Sequence, residues 1–177
     1  MRKIEIQPYT TLWVNLFNNE KIILEKALRD CVKEIHHIGS TSIPNLSAKP
    51  IIDMILEVDS LSKLDIYSDV LNELGYEAKG EFGISKRRFF QKGGDNRTHQ
   101  IHAFKSKDPH IKRHLAFRDY LKKHHDICKE YEELKFKVAK NCNNSIELYC
   151  EGKDSFIKHH EVIALKWYET TKTNRYL

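Results

Sequence analysis

Ile35–Val58, IHHIGSTSIPNLSAKPIIDMILEV, decides the reading of this 177-residue chain. It reads as a short apolar strand, a Gly-Ser-Thr-Ser turn, a crossing restricted by Pro44 and Pro50, and a second strand over 51–58. Along that second strand, period-2 alternation puts Ile52, Met54, Leu56 and Val58 on one face and Asp53, Ile55 and Glu57 on the other. One face is built for a core and the other carries a carboxylate. A carboxylate inside an apolar strand calls for a metal, a basic partner or exposure at an edge. The turn points the same way: Gly39 permits positive-φ backbone, and Ser40, Thr41 and Ser42 offer hydroxyls and N–H groups that suit an anion.

Working outward, Leu12, Leu16, Ile23, Ala27 and Cys31 recur at helical spacing with Trp13, Phe17 and Leu24 beside them, which predicts a helix over 12–30 leading into strand 32–38. Residues 1–10 read as a strand or arm ending at Pro8. After the second strand, Leu64, Tyr67, Val70, Leu71 and Leu74 predict one amphipathic helix with Gly75 as its cap. Two further strands are expected at 84–91 and 98–104, separated by the Gly- and Asn-rich GGDNR. Helices are expected over 109–125, 127–141 and 154–170, with an irregular link through Asn141, Asn143 and Asn144. This order indicates an α/β (α+β) fold.

Composition bounds the function. The formal charge of +5 is small and dispersed, which weakly favours phosphate-bearing partners and disfavours nucleic acid. Cys31, Cys128, Cys142 and Cys150 form no C-x-x-C pair, MRKIEIQPYT lacks the apolar run of a signal peptide, and no stretch approaches a membrane span. A cytoplasmic protein with reduced thiols is the expectation. No P-loop, G-x-G-x-x-G or Ser-His-Asp frame is present.

Among the chemistry-bearing groups, Asp53 comes first. In THQIHAF, Thr98, Gln100 and His102 share a face, so a strand here beside 51–58 would bring His102 to the same cleft. Lys49 enters the second strand beside Pro50. Arg88 and Arg118 are candidate phosphate ligands, because guanidinium forks match phosphate oxygens; Arg87 and Arg88 point to opposite faces, so only one of them can serve the cleft. His110 and His114 have the i, i+4 spacing of a helical metal pair but no H-E-x-x-H frame.

HIGSTSIPNLSAKPIIDMILEV resembles the signature of the GrpB family, which is placed in the nucleotidyltransferase superfamily. Ile38, Gly39 and Ser40 match the first half of the superfamily pattern and Asp53 and Met54 the start of the second. Ile55 stands where the second acid falls, as is general in GrpB proteins, and Asn45 stands where the family usually has Gly. The resemblance continues through RRFF at 87–90, RTHQIHAF, HLAFRDYL at 114–121 and YEELK at 131–135. It implies a nucleotidyltransferase-like mixed β-sheet flanked by helices, as one domain over 1–177 with a core at 12–105 and C-terminal helices at 109–171. It implies nucleotide phosphates at Gly39, Ser40, Thr41 and Ser42, assisted by Lys49, Arg88 and Arg118. It further implies Mg²⁺ or Mn²⁺ on Asp53, and Asp53 with His102 as the catalytic pair. Metal-dependent nucleotidyl transfer stays open beside a catalytically degenerate binding or accessory module of nucleotide or coenzyme A metabolism, since such domains occur behind dephospho-coenzyme A kinase in some bacteria. A protein-interaction domain is a weaker reading, and self-association is open.

Overall fold

The structure, a computed structural model, describes residues 4–173. Helix α1 (Leu12–Leu28) leads through a 3₁₀ turn into β1 (Val32–Ile38); a second 3₁₀ turn at Ser40–Ser42 and a loop then reach β2 (Ile52–Val58). Next come α2 (Leu61–Asp65), α3 (Ser68–Glu73), β3 (Tyr76–Ala78), β4 (Arg88–Lys92) and β5 (His99–Lys105). Three helices finish the chain: α4 (Pro109–Lys123), α5 (His125–Asn141) and α6 (Ile146–Thr173). The five strands form one mixed sheet in the order β1-β2-β5-β4-β3, in which only β2 and β5 run parallel. This is the α+β class expected.

The alternation in β2 is the organising fact. Ile52, Met54, Leu56 and Val58 pack with Trp13, Phe17, Leu24 and Leu28 of α1 and with Leu64 and Leu71 of α2 and α3. The opposite face is also covered, but unevenly. Ile55 is fully buried with Ile38, Phe104 and Ile111, under the first turn of α4, whereas Asp53 stays partly open. Helices α4, α5 and α6 share a core of their own through Ala116, Tyr120, Leu121, Tyr131 and Ala164, into which Ile43 and Leu46 of the crossing loop insert.

Several local expectations are corrected. The helix read over 64–74 is two short helices; Gly75 follows the second with φ 86°. The strand read from 84 begins at Arg88, because Gly83 and Lys86 take positive φ and 84–87 form a turn. Strand β3 went unread. Helix α6 starts at Ile146 and not at 154. Of the N-terminal arm, residues 1–3 lie outside the described residues, as do 174–177 of the expected domain; from residue 4 the arm is held by the Gln7–Ala48 bridge, by the Ile4 N–H donating to Asn144 Oδ1 and by packing of Ile4 with Cys142 and Tyr149.

Candidate functional site

The parallel register aligns Asp53 with Gln100 and Ile55 with His102, so the face read for THQIHAF does meet the face of Asp53. His102 Nε2 stands 3.9 Å from Asp53 Oδ1. Its Nδ1 lies 3.2 Å from Arg87 Nη1. A guanidinium only donates, so Nδ1 must accept and the proton sits on Nε2, facing Asp53. In that tautomer His102, which does not itself line the cavity that Asp53 lines, turns an N–H toward Asp53 and has no lone pair there for a metal. Arg87 is itself buried, holding the carbonyls of Glu81 and Phe82, and its desolvation lowers its pKa.

The turn before the crossing loop is shaped around Asp53. Gly39 has φ 68° and ψ −176°, a region essentially restricted to glycine. A Cβ there would stand 2.7 Å from Asp53 Oδ2. Thr41 and Ser42 turn inward: Thr41 Oγ1 donates to the Ile51 carbonyl and meets His37 Nε2, while Ser42 Oγ donates to the Gly39 carbonyl. Their hydroxyls hold the turn, which leaves Ser40, beside Tyr131, as the hydroxyl that faces the cleft. Asn45 has φ 64°, so the residue that replaces the family's usual Gly is one that tolerates left-handed backbone.

The cleft is a cavity of about 190 Å³ whose walls include Gly39, Ser40, Lys49, Asp53, Gln100 and Lys153. Its remaining basic and aromatic walls come from residues that sequence reasoning passed over. Tyr131 and Lys135 sit one turn apart on the buried stripe of α5, and Tyr149 and Lys153 repeat that spacing on α6. Each ammonium lies over its own tyrosine, Lys135 at 5.0 Å and Lys153 at 4.0 Å from the ring centroid, and Lys49 approaches Tyr149 at 4.7 Å. Gly152 makes this convergence possible: a Cβ there would strike Val138 Cγ1 at 2.6 Å, so a larger residue would push α6 off α5.

Burial and mutual repulsion set the charge. Desolvation, then the neighbouring Lys153, lower Lys135 to about 7. Desolvation is also the main cause lowering Lys153 to about 8, with Lys49 acting in the same direction and Asp53 opposing. Desolvation raises the phenols of Tyr131 and Tyr149, so both stay protonated hydrogen-bond donors. Lys135 Nζ donates to the Ser47 carbonyl, and the Ser47 N–H donates to Glu132 Oε1 at 2.7 Å, which clamps the crossing loop to α5.

The arginines singled out from sequence are placed elsewhere. Arg88 projects to the opposite face of the sheet, where it forms a two-pronged pair with Asp65. Arg118 binds the His37 carbonyl and Asp119 and does not line the cavity. The cleft's cations are amines. Of the two arginines in RRFF it is Arg87, through His102, that reaches the Asp53 side.

A Mg²⁺ or Mn²⁺ ion, which the resemblance implies, finds one carboxylate here. Ile55 fills the second acid's position and is buried, His102 presents N–H, and three lysines line the same cavity as Asp53. These residues do not constitute a metal site of their own.

Comparison with known proteins gives the family and the fold. The family model described as GrpB protein matches residues 3–162. The UPF0157 protein YqkA of Bacillus subtilis is 47% identical over 166 residues, covering 94% of this chain; the chain spans 48% of YqkA's length. The glutamate-rich protein GrpB of Alkalihalophilus pseudofirmus is 34% identical over 150 residues, covering 82% of this chain and 86% of that protein. The crystal structure of GrpB from Enterococcus faecalis superposes with a TM-score of 0.89 at 41% identity, over 93% of this chain and 99% of that one. A cytoplasmic RNA terminal U-transferase superposes with a TM-score of 0.56 at 13% identity, covering 79% of this chain and 43% of that one. Cid1 in complex with its product ApU does so with a TM-score of 0.52 at 14% identity, over 73% and 42%. The last two share the nucleotidyltransferase-like fold. The chain belongs to the GrpB family.

Proposed function

We propose that the cleft binds the phosphate end of a nucleotide or related phosphate ester, and that amines rather than a metal centre carry the binding. The observation behind this is the convergence of Lys49, Lys135 and Lys153 with Ser40 on one small cavity containing a single carboxylate. Burying two amines until they deprotonate near neutrality costs stability, and an anionic ligand recovers that cost by restoring their charge. At about 190 Å³ the cavity is smaller than the ~300–1,000 Å³ of sites that enclose a drug-sized ligand, so it takes phosphates while the rest of the molecule lies outside. The fold is one on which Cid1 holds a nucleotide product.

Nucleotidyl transfer normally relies on two or three carboxylates holding Mg²⁺ at the transferred phosphate. Ile55 removes one of them, so the reading is a binding module, accessory to nucleotide or coenzyme chemistry. The unpaired thiols of Cys31, Cys128, Cys142 and Cys150 suit a cytoplasmic setting.

The test is a thermal-shift screen of nucleotides, coenzyme A precursors and pyrophosphate, run in EDTA and in Mg²⁺, since a ligand selective for the native state raises Tm. Shifts in EDTA that vanish in Lys153→Met support the proposal. Shifts that need Mg²⁺, or that survive Lys153→Met unchanged, refute it.

A further inference from the structure

A second group of ligating side chains lies on the same face of the sheet as Asp53, four positions further along β2 and so about 13 Å away. Glu57 pairs directly with Glu34 of the edge strand β1, and His36 stands beside them opposite Ile55. One ligand atom from each of the three residues lies within 4.8 Å of the others. We propose that Glu34, His36 and Glu57 bind a divalent transition-metal ion, separately from the phosphate cleft.

Three observations point to a cation here. First, like charges directly opposite across two strands repel, and this pair is a glutamate facing a glutamate. Lys33, an ammonium close enough to act on Glu57 electrostatically, is paired with Asp59 at 2.7 Å. Second, His36 Nε2 is buried and has no hydrogen-bond partner, although it points at Glu57. Such an orphaned nitrogen costs free energy unless something occupies its lone pair. Third, the spacing suits a shared ion better than direct bonds. His36 Nε2 lies 3.6 Å from Glu57 Oε2, beyond ordinary hydrogen-bond length, and on the other edge of the ring Nδ1 lies 3.5 Å from Glu34 Oε1. Adjacent ligands on a tetrahedral ion with bonds of about 2.0–2.2 Å stand about 3.3–3.6 Å apart, the separation of Nε2 and Glu57 Oε2, and one ligand atom from each of the three residues falls within 4.8 Å of the others.

The surroundings match a metal site. Ser106 Oγ donates to Glu57 Oε1, which turns Oε2 toward His36 and acts as an outer partner for the carboxylate. The register shift in β1 between Val32 and Glu34 lies beside the group, as bulges often do where a side chain must be re-aimed. Glu34 is more than half exposed, so it closes the site from the solvent side and water can complete the coordination. One imidazole with two carboxylates selects Zn²⁺, Mn²⁺ or Co²⁺ over Mg²⁺.

Co²⁺ is the probe, added to metal-free protein at neutral pH and followed by visible absorption and calorimetry. The expected result is one equivalent bound with visible d–d bands and without the intense near-ultraviolet sulfur band that the exposed Cys150 would produce. His36→Gln and Glu57→Gln should each weaken binding by at least about tenfold, while Asp53→Asn leaves it unchanged. Paramagnetic broadening in the unsubstituted protein gives a second reading that needs no variant: the ring of His36 should broaden first. No saturable binding would overturn the proposal and leave an imidazole between two glutamates. Binding that disappears with Asp53→Asn, or broadening that begins at His102, would overturn it as well.

Discussion

Replacing Lys135 with Met should stabilise the protein and remove a principal anion-binding group in the same step. Burial lowers this amine from an ordinary 10.5 to about 7. Between those values the unfolded chain holds a proton that the folded chain does not, so folding grows less favourable as pH falls, by about 1.4 kcal/mol per pH unit. The penalty is absent above pH 10.5 and reaches roughly 5 kcal/mol once the pH is below about 7. Met fills a similar volume without a charge, but it leaves the Ser47 carbonyl without its donor, which costs about 1–3 kcal/mol. The variant should therefore gain roughly 2–4 kcal/mol at pH 6.5 and lie near parity or slightly below the parent at pH 9.5. Urea unfolding of both proteins at the two pH values measures this. If Lys135→Met is destabilised equally at both, the amine is not held neutral by burial, and the reasoning about the cleft's charge fails.

Three further outcomes follow from the same geometry. Gly39→Ala should lose about 1–3 kcal/mol in thermal unfolding and most of its affinity for pyrophosphate, because the new methyl takes up the space of Asp53 Oδ2 at a backbone conformation that alanine avoids. Ile55→Asp restores the second acid on paper but places a charge beneath α4; it should lower stability by several kcal/mol and create no Mg²⁺ site by calorimetry. In long-range ¹⁵N spectra His102 should appear as the Nε2–H tautomer, and Arg87→Leu should release it to a mixture of tautomers.

Much of the fold could be read from Ile35–Val58, because a strand buried on one face must alternate and β2 does. The same logic found the face of β5 that carries His102. It failed where tertiary contacts outweighed local signals. Positive φ at Gly83 and Lys86 shortened β4, and the Asn-rich link concealed the first two turns of α6. Tyr149 and Lys153 fell outside the helix read over 154–170, and Gly152 between them serves close packing against α5. Lys135 was missed for a different reason. A lysine is expected in solvent, and its place on the buried stripe of α5 becomes evident only with α6 beside it. The repeated Tyr-x-x-x-Lys of 131–135 and 149–153 was the available signal. Arginine's fork geometry drew attention to Arg88 and Arg118, whose guanidiniums are spent on Asp65 and on the His37 carbonyl.

The central claim, that amines rather than a metal hold a phosphate in this cleft, is tested most directly by titrating pyrophosphate in EDTA into the parent, Lys153→Met and Asp53→Asn by calorimetry. The account predicts saturable metal-free binding that strengthens as pH falls through about 8 and then about 7, as Lys153 and Lys135 gain their protons. It predicts weakening by roughly tenfold or more in Lys153→Met, and binding at least as tight in Asp53→Asn, which removes the one negative charge facing the ligand. Binding that appears only with Mg²⁺, persists in Lys153→Met and is abolished by Asp53→Asn would contradict it.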